Sequence, residues 1–305
     1  MTLRLDNRVA IVTGAGTGLG REHALLLAAR GAKLVVNDPG RALDGRESDQ
    51  TVADQVVAEI RRQGGVAVAN YDSVADPQAA KRIVDTAITA FGRLDILVNN
   101  AGILRDKSFG KMALDDYRKV IDVHLMGSVY CTHAAWPVMT QQKYGRVVMT
   151  TSTAGTNGSF GQTNYGAAKM ALIGLMNCLA TEGRKNNVLV NAVSPGAVTR
   201  MTEALTPEGL AKYQGPELVS PAVGWLASER CTETALILWA SAGHYARFQI
   251  FQTEGVQFDP AKPITVEMFD EAFPRIADLA TATPSRLGFG FNANAAERLK
   301  AIGRL

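Results

Sequence analysis

The chain has 305 residues, 47% of them hydrophobic and 20% charged. That is globular composition: it excludes a disordered, collagen-like or disulfide-stapled chain, and at about 150 residues per domain it allows either two domains or one large α/β unit with a tail. A surplus of +3, from 32 Lys and Arg against 29 Asp and Glu, is too thin for a nucleic-acid footprint.

Strand-like and helix-like segments alternate along the chain. Val9 to Thr13 reads as a strand, Leu19 to Arg30 as a helix, Leu34 to Asn37 as a strand, and Ser48 to Gln63 as a helix stopped by Gly64. Val66 to Asn70, Pro77 to Phe91, Leu94 to Asn99, Leu114 to Met139, Val147 to Thr151, Asn164 to Glu182 and Val188 to Val193 continue the rhythm, and Ala235 to Trp239 supplies a last strand. Runs such as Ile96-Leu97-Val98 are apolar throughout, as in strands covered on both faces. The expected fold is a doubly wound parallel α/β sheet of about seven strands with helices on both faces. Residues 1–250 would form this domain and 251–305 a C-terminal extension with one helix, Thr265 to Leu279.

Cys131, Cys178 and Cys231 are far apart and lack C-x-x-C spacing, so they read as reduced packing residues, and no metal is expected. Val123 to Gln142 carries no formal charge, but His124, His133, Pro137 and two glutamines mark it as a buried helix rather than a membrane span. The first residues contain no apolar leader, and a cytoplasmic location without membrane or nucleic-acid partners is expected.

After the first strand comes Thr13-Gly14-Ala15-Gly16-Thr17-Gly18-Leu19-Gly20, leading into a helix. Glycines let a pyrophosphate approach backbone N–H groups at the positive end of a helix. Ordinary turns also use glycine, but the strand before and the helix after favour a nucleotide cradle. Asp38 closes the second strand 20 residues after Gly18, where a carboxylate accepts from adenosine ribose hydroxyls and repels a 2′-phosphate, favouring NAD over NADP. The alternative is an aspartate that starts the turn Asp38-Pro39-Gly40, with Arg41 greeting a phosphate. Asp72 is placed to touch an adenine edge or to cap its loop.

Tyr165 and Lys169 are four apart in an expected helix and share one face. A phenol of pKa about 10 is a poor base at neutral pH, but an ammonium about 4 Å away at an effective dielectric of about 20 favours the phenolate by about 4 kcal/mol, roughly three pK units. The expectation is a phenol shifted downwards; the alternative is an exposed helix pair. Ser152, 13 residues before Tyr165, ends a strand where a hydroxyl can bond a substrate oxygen. Thr150, Thr151 and Thr153 show that polar strand ends are ordinary, and no Gly-x-Ser-x-Gly elbow frames a covalent nucleophile.

Together with Asn99-Asn100-Ala101-Gly102 and Ser194-Pro195-Gly196, these motifs closely resemble the short-chain dehydrogenases/reductases over about residues 5 to 245. The resemblance implies a Rossmann-type fold in which Tyr165 exchanges the proton, Ser152 positions the substrate oxygen and Lys169 also holds the nicotinamide ribose. It implies cofactor contacts from Gly14, Thr17, Gly18, Leu19, Gly20, Asp38, Asp72, Ser73, Asn99, Asn100, Ala101, Gly102, Tyr165, Lys169, Pro195, Gly196 and Val198, with Thr199 at the carboxamide. His124 stands where most members carry Asn; it either supports a water chain to Lys169 as a fourth catalytic residue or is a satisfied core histidine.

Asn37-Asp38-Pro39-Gly40, Ala69-Asn70-Tyr71-Asp72-Ser73-Val74, Asn99 to Phe109, Val123 to Gly127 and Lys143-Tyr144-Gly145-Arg146 are further similar to the (3R)-hydroxyacyl-CoA dehydrogenase units of peroxisomal multifunctional β-oxidation enzymes. That likeness implies NAD-dependent oxidation of a 3-hydroxyl on an acyl-CoA or steroid-derived CoA thioester, with Arg105, Lys107 and Lys111 either near the CoA phosphates or on a solvated face. The wider family resemblance implies a homodimer or homotetramer, paired through the long helices Leu114 to Met139 and Asn164 to Glu182. The rivals are a 3-oxoacyl reductase, a free-steroid dehydrogenase, and a non-catalytic NAD-binding sensor or scaffold.

Overall fold

The apolar runs become strands because no edge of them meets water: β1 (Val9–Thr13), β4 (Ile96–Asn99) and β5 (Gly145–Thr150) are buried at every position. The computed structural model describes residues 2–40, 51–198, 207–285, 287–288 and 291–305. Between these strands lie α1 (Gly18–Ala29), β2 (Lys33–Asn37), α2 (Thr51–Arg62), β3 (Val66–Asn70), α3 (Pro77–Phe91), α4 (Leu114–Ile121) and α5 (Gly127–Gln142). After β5 come α6 (Thr153–Thr156), α7 (Thr163–Gly183), β6 (Val188–Gly196), α8 (Glu208–Ala211), α9 (Ser220–Leu226), β7 (Ile237–Ser241) and β8 (His244–Phe248).

The sheet order is β3-β2-β1-β4-β5-β6-β7-β8, and the pairings from β3 through β7 are parallel. The winding reverses between β1 and β4, which opens a crevice beyond their carboxyl ends. This is the Rossmann-type doubly wound sheet that the motifs implied, with one strand more than expected. Ala242 (φ 50) and Gly243 (φ 77) are both left-handed, the pattern of a tight primed turn, and fold β8 back on β7. The β8 sequence, His244-Tyr245-Ala246-Arg247-Phe248, mixes charge and aromatic residues because it lies at a sheet edge.

Local signals set the ends of several elements. Asp76 caps α3 through Oδ1, which accepts from Ala79 N at 2.6 Å; Pro77 follows at the first turn, and Gly92 (φ 78) closes the helix in the left-handed region. At the far end of the sheet the buried Asp95 carboxylate accepts from Val9 N (2.9 Å) and pairs with Arg8 and Arg93, tying β1 to β4. At the β3 edge, Arg61 donates through Nε and Nη2 to Ala67 O at 3.1 and 2.8 Å.

The expected single helix Leu114 to Met139 is interrupted by a π-helical turn, Asp122–Met126, between α4 and α5. One extra residue per turn re-phases α5, so that His124 faces inward and Gly127 packs against Val74, whose Cγ2 would lie 2.7 Å from an added Cβ. Hydrophobic periodicity does not register a single inserted residue.

The chain divides into two compact units, Met1–Arg247 and Phe248–Leu305. The second pairs β9 (Phe251–Gln252) antiparallel with β10 (Thr283–Pro284) and contains α10 (Val266–Ile276), capped by Thr265 Oγ1 on Met268 N, and α11 (Phe291–Ala301). α11 lies in a Gly/Asn/Ala-rich stretch that gave no helix expectation; Glu297 to Ala301 are strong helix formers and carry it. Among the described residues all three cysteines are free thiols, and no helix is long and apolar enough to cross a membrane.

Candidate active site

The glycine turn is built against the start of the next connection. Gly14 takes φ 62, and an added Cβ there would lie 2.8 Å from Ala101 Cα; one on Gly20 would lie 2.1 Å from Gly14 O. Thr13 Oγ1 accepts from Asn100 N (3.0 Å) and Ala101 N (3.1 Å), and Asn100 Nδ2 donates to Thr13 O and Gly14 O. Thr13 and Asn100 therefore brace the turn, and this brace was not among the sequence expectations. α1 starts at Gly18, with Thr17 before it and Leu19 after, and has no acidic residue in its first turn, so its positive end suits an anion.

Asp38 reaches the same turn: Oδ2 accepts from Gly16 N at 2.9 Å, and Oδ1 from Gly40 N at 2.8 Å. Both oxygens keep acceptor capacity. A Cβ on Gly16 would stand 2.8 Å from Asp38 Oδ2, so the glycine is what lets backbone and carboxylate meet. These features suit a dinucleotide: a donor-rich helix start for its phosphates and a fixed carboxylate for a ribose.

Other expected cofactor residues have duties of their own. Asp72 pairs with Arg82 and accepts from Asn70 Nδ2 at 3.1 Å, while Asn99 donates to Thr132 Oγ1 at 2.9 Å from a buried position. Ser73 Oγ accepts from Ala75 N. Pro195 and Gly196 end β6, a Cβ on Gly196 would lie 2.5 Å from Ser241 Oγ, and Val198 N donates to Gln214 O at 2.6 Å. Thr199 and Arg41 lie outside the described residues.

At the β5 end, Ser152, Tyr165 and Lys169 come together. Ser152 caps α6, its Oγ accepting from Ala154 N at 3.1 Å, and it shares a hydrogen bond with the Tyr165 phenol. Tyr165 and Lys169 stand one turn apart on α7, and Thr151 Oγ1 ties α7 to β5 by donating to Lys169 O at 2.7 Å. The Lys169 ammonium is buried, donates to Thr150 O at 2.5 Å and lies 5.4 Å from the Tyr165 ring centroid.

The electrostatics correct the sequence expectation. Burial pushes the Tyr165 phenol above its ordinary range, the Ser152 hydrogen bond works against this, and the Asp106 carboxylate adds to it. Burial also brings Lys169 down to about 7. Desolvation dominates both shifts, and no attraction between ammonium and phenolate figures in either. Spacing shows that the two groups share a face, but not how dry that face is.

His124 is buried in the π turn, and its Nε2 lies 3.0 Å from Ile103 N and 2.8 Å from Ile103 O. Its ring meets Tyr165 edge-on at 5.1 Å, and its carbonyl accepts from Ser128 Oγ at 2.7 Å. Nδ1 has no partner among the described residues, so this is not a fully satisfied core histidine. Asn164, also missed in the sequence, accepts from Tyr165 N (2.7 Å) through Oδ1 and donates to Arg105 O (3.1 Å) through Nδ2. Its only advance signal was the habit of asparagine to bond nearby backbone.

The profile of the short chain dehydrogenase family matches residues 8–209. The chain belongs to that family. It is 49% identical over 282 residues to the peroxisomal multifunctional enzyme type 2 of Drosophila melanogaster, covering 92% of this chain and 47% of that protein, so it spans about half its relative's length. The solved full-length structure of that relative aligns with a TM-score of 0.80 at 40% identity, covering 98% of this chain and 50% of the other. A crystal structure of a short chain dehydrogenase from Mycobacterium avium aligns at 0.77 with 38% identity, covering 92% and 97%. A 7α-hydroxysteroid dehydrogenase complexed with NADH and 7-oxo glycochenodeoxycholic acid aligns at 0.71 with 29% identity, covering 79% and 95%. This short-chain dehydrogenase is thus an oxidoreductase of a family that binds a nicotinamide cofactor.

Proposed function

We propose that the protein oxidises the 3-hydroxyl of an acyl-CoA or steroid-derived CoA thioester to a ketone with NAD. The observation that carries the chemistry is the convergence of Ser152, Tyr165 and Lys169 at the end of β5, on the same carboxyl edge of the sheet as the glycine turn after β1. Ser152 Oγ holds the substrate hydroxyl, and Tyr165 Oη takes its proton as the carbinol hydrogen leaves as hydride. When bound, the nicotinamide supplies the hydride acceptor. Lys169, whose ammonium lies 5.4 Å from the Tyr165 ring centroid, reaches the ribose. Positioning and general base action together supply the rate.

The substrate class rests on the likeness of Asn99 to Phe109 and Val123 to Gly127 to hydroxyacyl-CoA dehydrogenase units. In the same stretch Lys107 and Lys111 are exposed, while Arg105 pairs with Asp116 at 3.6 Å. A second reading, oxidation of a free steroid alcohol, draws on the hydroxysteroid dehydrogenase neighbour. NADH formation from matched (R)- and (S)-3-hydroxyacyl-CoA of several lengths, against a free bile-acid alcohol, decides between them. Turnover of the (R)-thioester is expected; turnover of the free steroid alone supports the second reading, and silence on all of them with tight NAD binding supports a sensor. Assembly as a homodimer or homotetramer belongs to the same proposal and is read by sedimentation.

NAD preference follows from Asp38, which two backbone amides hold in place and which cannot swing away from a 2′-phosphate. Hydrogen bonds to a charged group contribute about 1.5–3 kcal/mol, so Asp38→Ala should lower kcat/KM for NAD about 10- to 100-fold and narrow the gap to NADP. Unchanged cofactor discrimination in a folded variant would remove Asp38 from this role.

A further inference from the structure

We propose that residues 214–220 form a brace that fixes the distance between the two ends of the dinucleotide crevice, with Gln214 as the positioning residue at its nicotinamide end. The proposal rests on the reading of Gly196 and Val198 as the wall beside the nicotinamide.

Gln214 grips two strand ends at once. Its backbone O accepts from Val198 N at 2.6 Å, and its side-chain Nε2 donates to Ser241 Oγ at 3.3 Å. Ser241 ends β7 and stands opposite Gly196 in the parallel register, so close that a Cβ on Gly196 would lie 2.5 Å from its Oγ. The carboxyl end of β6 is therefore held twice, by Ser241 across the sheet and by Gln214 from the returning chain.

Farther along, the same stretch is fastened to the helix that faces the phosphates. Ser220 Oγ meets the Nδ1 of His23, a buried residue of α1, at 2.8 Å. Burial brings His23 down to about 3, so its ring is neutral, and with the proton on Nδ1 it donates to Ser220. Nε2 has no partner among the described residues, which leaves Ser220 as the polar contact that places the ring. α9, which Ser220 opens, shares one core with α1: Val219, Val223 and Leu226 pack with Ala24 and Leu27, and a Cβ on Gly224 would stand 3.0 Å from Leu26 Cδ2. The start of α9 therefore moves only with α1.

Between the two anchors the chain has little slack. Pro216–Leu218 is a 3-10 turn with proline at its first position, closed by Leu218 N donating to Gly215 O at 3.1 Å and Val219 N to Pro216 O at 3.0 Å. Tyr245 Oη, from β8, donates to Leu218 O at 2.7 Å and pins the middle. A short, stiff link thus joins the end of β6 to α1, and loosening it lets the two walls of the crevice drift apart while each stays intact.

The test is a pair of titrations, NADH against ADP-ribose, which carries the adenosine and both phosphates but no nicotinamide. The wild type should bind NADH more tightly. Gln214→Ala, which removes the bond to Ser241, and Ser220→Ala, which releases His23, should each weaken NADH about 3- to 10-fold, the worth of one neutral hydrogen bond, and leave ADP-ribose unchanged. Because both act on one brace, the double variant should lose about as much as the worse single one. Tyr245→Phe removes one exposed hydroxyl and asks the same question without disturbing the core; a loss of about threefold, again for NADH alone, is expected. Equal losses for both ligands, no loss in the folded variants, or losses that add in the double variant would each overturn the proposal. Neither titration needs a substrate. The expected pattern in a protein inert towards every alcohol would sink the dehydrogenase reading alone, whereas brisk alcohol oxidation with the NADH advantage intact in every variant would sink only this inference.

Discussion

Tyr165→Phe is expected to reduce alcohol oxidation about 10²- to 10⁴-fold, the usual contribution of a positioned acid–base group, while cofactor binding persists. The substitution removes one oxygen and the hydrogen bond shared with Ser152, but it retains the ring that meets His124 edge-on. Single-turnover kinetics beside a titration of NADH fluorescence separate the two effects. Turnover near the wild-type rate would take the proton-transfer role away from Tyr165. The pH profile carries a second signature. Oxidation needs the ionised phenol, and burial raises its pKa, so kcat/KM for oxidation should climb with pH through the neutral range. Ser152→Ala removes the one influence that pulls the phenol down and should move that limb to still higher pH.

Lys169→Met should make the cofactor-free protein more stable at pH 6 while eliminating turnover. Burial brings the ammonium from its ordinary 10.5 down to about 7, so between those values the unfolded chain holds a proton that the folded protein releases. Stability contributed by this site therefore rises with pH from about 7 to about 10.5, and the penalty is fully present below pH 7. At about 1.4 kcal/mol per pK unit the penalty is a few kcal/mol, part of which the bond to Thr150 O, worth about 1–3 kcal/mol, already offsets. Urea melts of both proteins at pH 6 and pH 10 isolate the effect as a difference. A wild type more stable than the variant at pH 6, or a gap that ignores pH, would contradict it. The protein would thus sacrifice stability at this site in exchange for a cation beside its reacting phenol.

How much was legible beforehand follows from what each signal measures. β1, β4 and β5 were plain because short, largely apolar runs between turn residues suit strands covered on both faces. Pro77 and Gly92 marked the bounds of α3 because fixed and left-handed φ values bracket a helix. The chemical residues were found by type and spacing, which place the backbone of Ser152, Tyr165 and Lys169 at one sheet edge. Side-chain partners are another matter. Asp72 turned to Arg82 and Asn99 to Thr132, choices made by tertiary neighbours 10 and 33 residues away. β8 escaped notice because an edge strand need not be apolar, and the π turn because one inserted residue leaves the composition of the helix unchanged.

Arg61 has a consequence beyond its own helix. Among the described residues β3 ends the sheet with backbone groups that no sister strand covers, and the guanidinium seated on Ala67 O occupies one of those groups with a charge. A stray polypeptide in a crowded solution therefore meets a charge where it would begin to zip onto this margin, which discourages nucleation of aggregates there.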